Sequence, residues 1–251
     1  MKRAPRPRDP DAPERVYTEA LTRFSREISR ALRGHVLDRY REAVRDGTVR
    51  IDAEDRLGID WGRLRTMIGR MAVDQAAELA DDQVRRVNRF NLEDMDRILP
   101  IELDREPPAV RRALERARRD NVALIKSIAA EQLTDVRATV REAAREGRRV
   151  EDLAAELRER FGVSESRAEL IARDQTLKAN AALTEVRHKE AGIERYVWST
   201  SRDERVRPWH QALEGRIFRY DHEPPVTNDR GDRNLPGEDY QCRCVAVPIL
   251  D

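Results

Sequence analysis

Residues 188–200 read HKEAGIERYVWST, and the chain changes character inside them. Up to Gly192 the apolar residues recur at steps of three and four, the period of an amphipathic helix. Gly192 stands where such a helix terminates, because glycine enters the left-handed conformation of a helix C-cap without a Cβ penalty. Beyond it, IERYVWST is short and rich in aromatic and β-branched residues, as strands are. The stretch therefore predicts a boundary between a helical body and a small domain that contains β structure.

Working outward toward the N-terminus, five helical segments are expected. Val16, Ala20, Leu21, Phe24, Ile28, Ala31, Leu32, Val36, Leu37, Tyr40 and Val44 form one stripe from Glu14 to near Asp46-Gly47. A second runs from about Trp61 to Ile98 and stops before Pro100. A third opens at Pro107-Pro108 and continues to Gly147; its roughly 38 residues would span roughly 57 Å if unbroken, with a kink near Asn121 as the alternative. A short helix over about Asp152–Phe161 follows. Then comes another helix, capped by Ser164 or by Ser166 with Glu169 in a capping box. Residues 1–13 are rich in Pro and Arg, lack periodicity, and read as a flexible arm.

Toward the C-terminus, RIFRY (216–220) reads as a second strand run, and CRCVAVPIL (242–250) alternates in a two-residue rhythm. Between the first two runs lies SRDERVRPWHQALEG (201–215), where Pro208 suits the first turn of a small helix and Gly215 its exit. The fold class is thus a mainly α N-terminal body with long helices plus a small α+β, loop-rich C-terminal domain. The expected division is 1–13 arm, 14–192 elongated helical domain, and 193–251 C-terminal domain.

Charged residues make up 39% of the chain and aromatics 5%, with a mean hydropathy of -0.80. Much of the surface must be solvated helix. Lys+Arg 49 against Asp+Glu 48 leaves a net charge of +1, so the overall field does not steer the chain toward nucleic acid. The C-terminal 59 residues hold nine arginines and eleven acidic residues, which is no nucleic-acid footprint. No run is long and apolar enough for a membrane helix, and the first residues lack a signal peptide's apolar segment.

The cysteines carry the chemistry. There are two, Cys242 and Cys244, too close in sequence for a disulfide framework. On a strand, residues i and i+2 share a face, which presents both sulfurs to one side and supplies half of a tetrahedral zinc site. A small domain with little apolar area to bury benefits from such a staple. The other half would come from His210, with Asp203 or His222 as the fourth ligand. Two further readings stand beside zinc: both cysteines as small buried hydrophobes with His210 a hydrogen-bonded core residue, or a strained disulfide acting as a redox switch. Asp203 also has a local reading, as the residue capping a turn in SRDER. An enzymatic reading would make the Asp203/His210/Cys242/Cys244 cluster the centre of a metal-dependent hydrolase or nuclease, with Glu214 as base. Against it, no HExxH, zinc-deaminase, phosphate-loop, dinucleotide or nucleophile-elbow motif occurs. A DNA-binding module would use Arg148, Arg149 and the N-terminal arm.

Taken in order, the IARDQ helix (171–175), W-S-T-x-x-D-x-R-V-R-x-x-H (198–210), Gly215 and P-G-x-x-x-x-C-R-C (236–244) resemble the phage minor head protein family typified by phage Mu protein F, the head morphogenesis proteins. The resemblance covers about Asn121 to Pro248. The motif positions are Ala172, Arg173, Thr176, Asn180, Gly192, Trp198, Asp203, Arg205, Val206, Arg207, His210, Gly215, Pro236, Gly237, Cys242, Arg243 and Cys244. The resemblance implies a non-enzymatic minor component of a tailed double-stranded DNA phage or prophage-derived particle. Such a component is located in the head interior or at the portal vertex, assembled in the host cytoplasm, and partnered by portal protein and by capsid or scaffolding protein, with a part in DNA packaging or delivery. It implies no membrane association and no small-molecule substrate. Arg243 is left with two partners to choose from, the ring of Trp198 or the carboxylate of Asp203.

Overall fold

The computed structural model describes residues 2–49 and 57–250; Met1 of the expected arm and the last residue lie outside it. Strand β1 is Lys2–Arg3, followed by helices α1 (Asp11–Arg45), α2 (Trp61–Ile98), α3 (Pro108–Glu146) and α4 (Val150–Glu190). After these come β2 (Arg195–Ser199), a one-turn helix α5 (Pro208–Gln211), β3 (Ile217–Arg219) and β4 (Val245–Leu250). No helix among the described residues is long and apolar enough to cross a membrane. The mainly α body with a small, loop-rich β-containing C-terminal part is the fold class expected above.

Contacts divide the chain into two compact units, and each long helix contributes to both. One unit is Thr18–Leu79 with Asn121–Ile171. Each of its four helical stretches buries one stripe at three- and four-residue spacing: Leu21, Phe24, Ile28, Leu32 and Val36 on α1; Leu64, Ile68, Ala72 and Ala76 on α2; Ile125, Ile128, Val136 and Val140 on α3; Leu153, Leu157, Phe161 and Ala168 on α4. Each such aliphatic or aromatic side chain removed from water contributes about 1.5–3 kcal/mol. One polar contact ties two of these stripes together: the buried Gln132 amide donates to Ser25 Oγ at 2.6 Å. The Tyr40 hydroxyl lies 3.0 and 2.9 Å from the Ala143 and Arg148 carbonyls that end α3.

Three local expectations are corrected here. Residues 152–190 are one helix, not two. Gly162 is tolerated because a helical glycine costs only about 1 kcal/mol, less than the burial of Phe161 and Ala168 on either side of it. Ser164 consequently does not cap; its hydroxyl donates back to the Arg160 carbonyl at 3.2 Å. Asn121 produces no break, lying fully buried within the continuous α3.

The other unit is Met1–Tyr17, Ala80–Asp120 and Ala172–Asp251. Its four strands are all antiparallel in the order β1-β4-β2-β3. Register sets the two faces. Tyr196 and Trp198 on β2 oppose Pro248 and Ala246 and join Leu213, Cys242 and Cys244 in one apolar cluster. Val197, opposite Val247, packs with Val245 and Ile249 in a second.

The segment expected to be a flexible arm is instead ordered. Arg3 pairs with Ile249, the Ala4 amide donates to the Pro248 carbonyl at 3.1 Å, and Arg8 donates to the buried carboxylate of Asp94 through its backbone amide and Nε at 2.8 and 2.7 Å. Asp94 is also held by Arg97, whose guanidinium reaches the Arg6 carbonyl. Low hydrophobicity disfavours order only where no buried counter-charge and no free strand edge wait to receive the segment.

Candidate metal centre

Cys242 and Cys244 lie just before β4, not on it; the strand begins at Val245. Their sulfurs nonetheless converge. Gln241 adopts φ 55°, turning the chain so that the Cys244 amide points at Cys242 Sγ, 3.5 Å away. Both thiols are unbridged and buried. His210 reaches them from α5, where Pro208 opens the turn; its Nδ1 is 3.4 Å from Cys242 Sγ and 3.5 Å from Cys244 Sγ. These three residues form the one cluster of potential metal ligands among the described residues, their donor atoms lying within 4.8 Å of one another.

Around the cluster stands a supporting shell. His210 Nε2 lies 3.2 Å from Asp239 Oδ2, and the Trp198 ring meets the imidazole edge-on at 5.6 Å. Asp174 on α4 accepts from the Gln241 amide at 2.9 Å, tying the turn to the IARDQ helix. Gly237 passes so close to that helix that a Cβ there would sit 2.8 Å from Ala181 Cβ, and its φ is +94°. Arg243 donates to Asp203 at 2.6 Å, which settles its partner in favour of the carboxylate. Arg207 caps the Tyr240 carbonyl.

Asp203 is therefore spent on Arg243, on Ser201 and on the Arg205 amide, and it does not join the cluster. Nor does His222, whose side chain is 70% exposed beside Asp221. The base offered by the enzymatic reading is occupied as well: Glu214 accepts from the Thr200 amide at 2.6 Å and from Arg202 at 3.1 Å. Arg148 and Arg149, the basic residues of the nucleic-acid reading, are paired with Glu146 and Glu156 and with Asp152.

The electrostatics follow from burial and the shared contacts. The hydrogen bond between the two thiols lowers Cys242, to about 5, against the upward pull of burial, and His210 lowers it further. The same bond raises Cys244. Burial presses His210 down, but Cys242 and Asp239 together outweigh it and hold the imidazole above its ordinary value. Beside the cluster opens a recess of about 180 Å³ lined by Arg173, Ser201, Arg205, Val206, Arg207, Gln241 and Arg243, with no carboxylate in its wall.

Asp239 and Asp174 were not singled out by sequence reasoning. Asp239 occupies an unassigned position inside P-G-x-x-x-x-C-R-C, and Asp174 lies within IARDQ; a carboxylate three residues from a candidate ligand was the available signal for the former.

Residues 134–247 match the family described as Phage Mu protein F like protein. An uncharacterised protein of Haemophilus influenzae is 47% identical over 131 residues, which are 52% of this chain and 28% of that protein. The chain thus aligns with little more than a quarter of that relative's length. No solved structure matches.

Proposed function

We propose, from the match of residues 134–247 to the family described as Phage Mu protein F like protein, that it is a head morphogenesis protein of a tailed double-stranded DNA phage or prophage-derived particle. In this reading it is a non-enzymatic minor component of the head, made in the host cytoplasm and incorporated at the portal vertex or head interior. Portal protein and capsid or scaffolding protein are its partners, and it acts in DNA packaging or delivery. The observation that carries the reading is the family match across the C-terminal half, whose motif residues are spent on holding the fold: Asp203 on Arg243, Arg207 on the Tyr240 carbonyl, Gly237 under α4.

The C-terminal unit also offers anchors for docking. Trp209 on α5 is 50% exposed and Tyr240, two residues before Cys242, is 54% exposed; aromatic side chains of this size dominate the binding energy of protein interfaces. The test is made in the particle. Interrupting the coding sequence should yield malformed or empty heads, and the chain should be found in purified normal heads at few copies. Trp209→Ala with Tyr240→Ala should reduce its incorporation while leaving its helical content unchanged. Normal heads assembled without the chain would overturn the reading.

A further inference from the structure

Two sulfurs share one imidazole nitrogen here, which is the arrangement of three ligands around one ion. Asp239 on Nε2 holds a proton there, because a carboxylate accepts and does not donate. Nδ1 then offers a single in-plane lone pair. Cys242 Sγ and Cys244 Sγ stand at 3.4 and 3.5 Å from it, so three donor atoms, the nitrogen and both sulfurs, converge within 4.8 Å of one another.

A metal ion at the common focus accounts for the convergence of all three. With Zn–S of about 2.3 Å and Zn–N of about 2.0–2.1 Å, the S···N edge of a tetrahedron is about 3.6 Å. Both observed edges lie within about 0.2 Å of that length. Asp239 behind Nε2 completes the carboxylate–histidine–metal relay that fixes ring orientation and raises ligand basicity. All three donors are buried: His210 at 3%, Cys242 at 3% and Cys244 at 6% exposure.

We propose that His210 Nδ1, Cys242 Sγ and Cys244 Sγ bind one zinc ion, with Asp239 as the positioning residue and the fourth coordination position facing the recess lined by Arg205 and Arg207. Among the described residues no fourth His, Cys, Asp or Glu joins the group. The recess wall is basic and holds no carboxylate, so no general base stands beside a zinc-bound water. The open position is suited to receiving an anionic ligand, not to activating water. Two thiolates neutralise the ion, and the two protons they release go to solvent on binding. This inference stands independently of the head-protein reading.

The test uses the full chain, reduced and stripped of metal. Titration with zinc should saturate at one ion per chain, and cobalt in its place should show thiolate-to-cobalt charge-transfer bands with the visible d–d bands of a tetrahedral ion. Adding azide should shift those d–d bands. Asp239→Asn should weaken zinc affinity about 10–100-fold with stoichiometry at saturation unchanged. Cys242→Ser with Cys244→Ser should abolish binding, with far-ultraviolet dichroism recording that α1–α4 persist. No zinc uptake by the reduced wild type, cobalt bound without thiolate bands, or zinc retained by the double serine variant would each overturn the site. Cobalt bands unmoved by azide would overturn the open fourth position.

Discussion

Acidification should destabilise this protein through one residue, His188. The imidazole is fully buried, its Nδ1 lies 2.7 Å from the Tyr220 hydroxyl, and its Nε2 has no hydrogen-bond partner. Burial lowers its pKa from 6.5 to about 3, since a cation there would lose its hydration with no carboxylate to replace it. Between those values the unfolded chain binds the proton and the folded chain does not, so stability rises with pH. The contribution is complete above about pH 6.5 and is lost as pH falls toward 3. Each pH unit inside the window is worth about 1.4 kcal/mol, so moving from about pH 7.5 to about pH 5 removes about 2 kcal/mol. The assay is urea unfolding of wild type and His188→Gln at both pH values; carboxylates common to both cancel in the difference. The wild type should lose about 2 kcal/mol more than the variant, and with only four histidines in the chain the His188 imidazole can be followed directly by NMR. An equal loss in both proteins, or an imidazole that titrates near its ordinary value, would refute the reasoning.

Four substitutions probe the packing. Gly237→Ala combines a left-handed backbone with a Cβ 2.8 Å from Ala181 Cβ and should cost about 3 kcal/mol; Gly215→Ala, at φ +75° with open space around its Cβ position, should cost only about 1–2 kcal/mol. Equal values from chemical denaturation would mean that the close approach to α4 is not felt. Trp198→Ala removes a fully buried ring from between His210 and Phe218 and should cost about 3–5 kcal/mol; a loss under about 1 kcal/mol would contradict its place in the core. Asp94→Ala strips Arg8 and Arg97 of their shared carboxylate. Hydrogen exchange at the Ala4 amide should then accelerate while amides in the unit built from residues 18–79 and 121–171 stay protected. Unchanged exchange at Ala4 would show that strand pairing alone holds the segment.

The helices were legible because their signal is one-dimensional. The spacing of Leu21, Phe24, Ile28, Leu32 and Val36 needs only its own helix to be read, and α2 has the bounds that its spacing and Pro100 imply. What escaped depends on partners far along the chain. The order of residues 2–10 rests on Asp94, over eighty residues away, and nothing in the local composition announces it. Gly162 reads as a break only if its neighbours are ignored; the burial of Phe161 and Ala168 overrides the propensity. In the candidate site, His210, Cys242 and Cys244 were legible as rare residue types, whereas Asp203 was chosen for chemistry that it spends on Arg243. Asp239 was one acid among many in a chain that is 39% charged, and residue type alone could not distinguish it.

The dispersed motif of the C-terminal half acquires a single physical purpose once its contacts are known. Asp174 holds the Gln241 amide, Gly237 lets the chain pass against Ala181, Arg207 takes the Tyr240 carbonyl, and Arg243 crosses to Asp203. These contacts act on the eight residues from Gly237 to Cys244, and they come from α4, from the turn before α5 and from the approach to α5. A segment of that length without regular hydrogen bonding pays a backbone entropy of about 1–2 kcal/mol per residue to be ordered, and its own apolar content, two small cysteines and Tyr240, cannot offset this. The polar clamps and the convergence of both sulfurs on His210 supply the difference. Of the carboxylates involved, Asp174 faces a backbone amide, Asp203 an arginine and Asp239 the back of the imidazole, so each ties this segment to a neighbouring element.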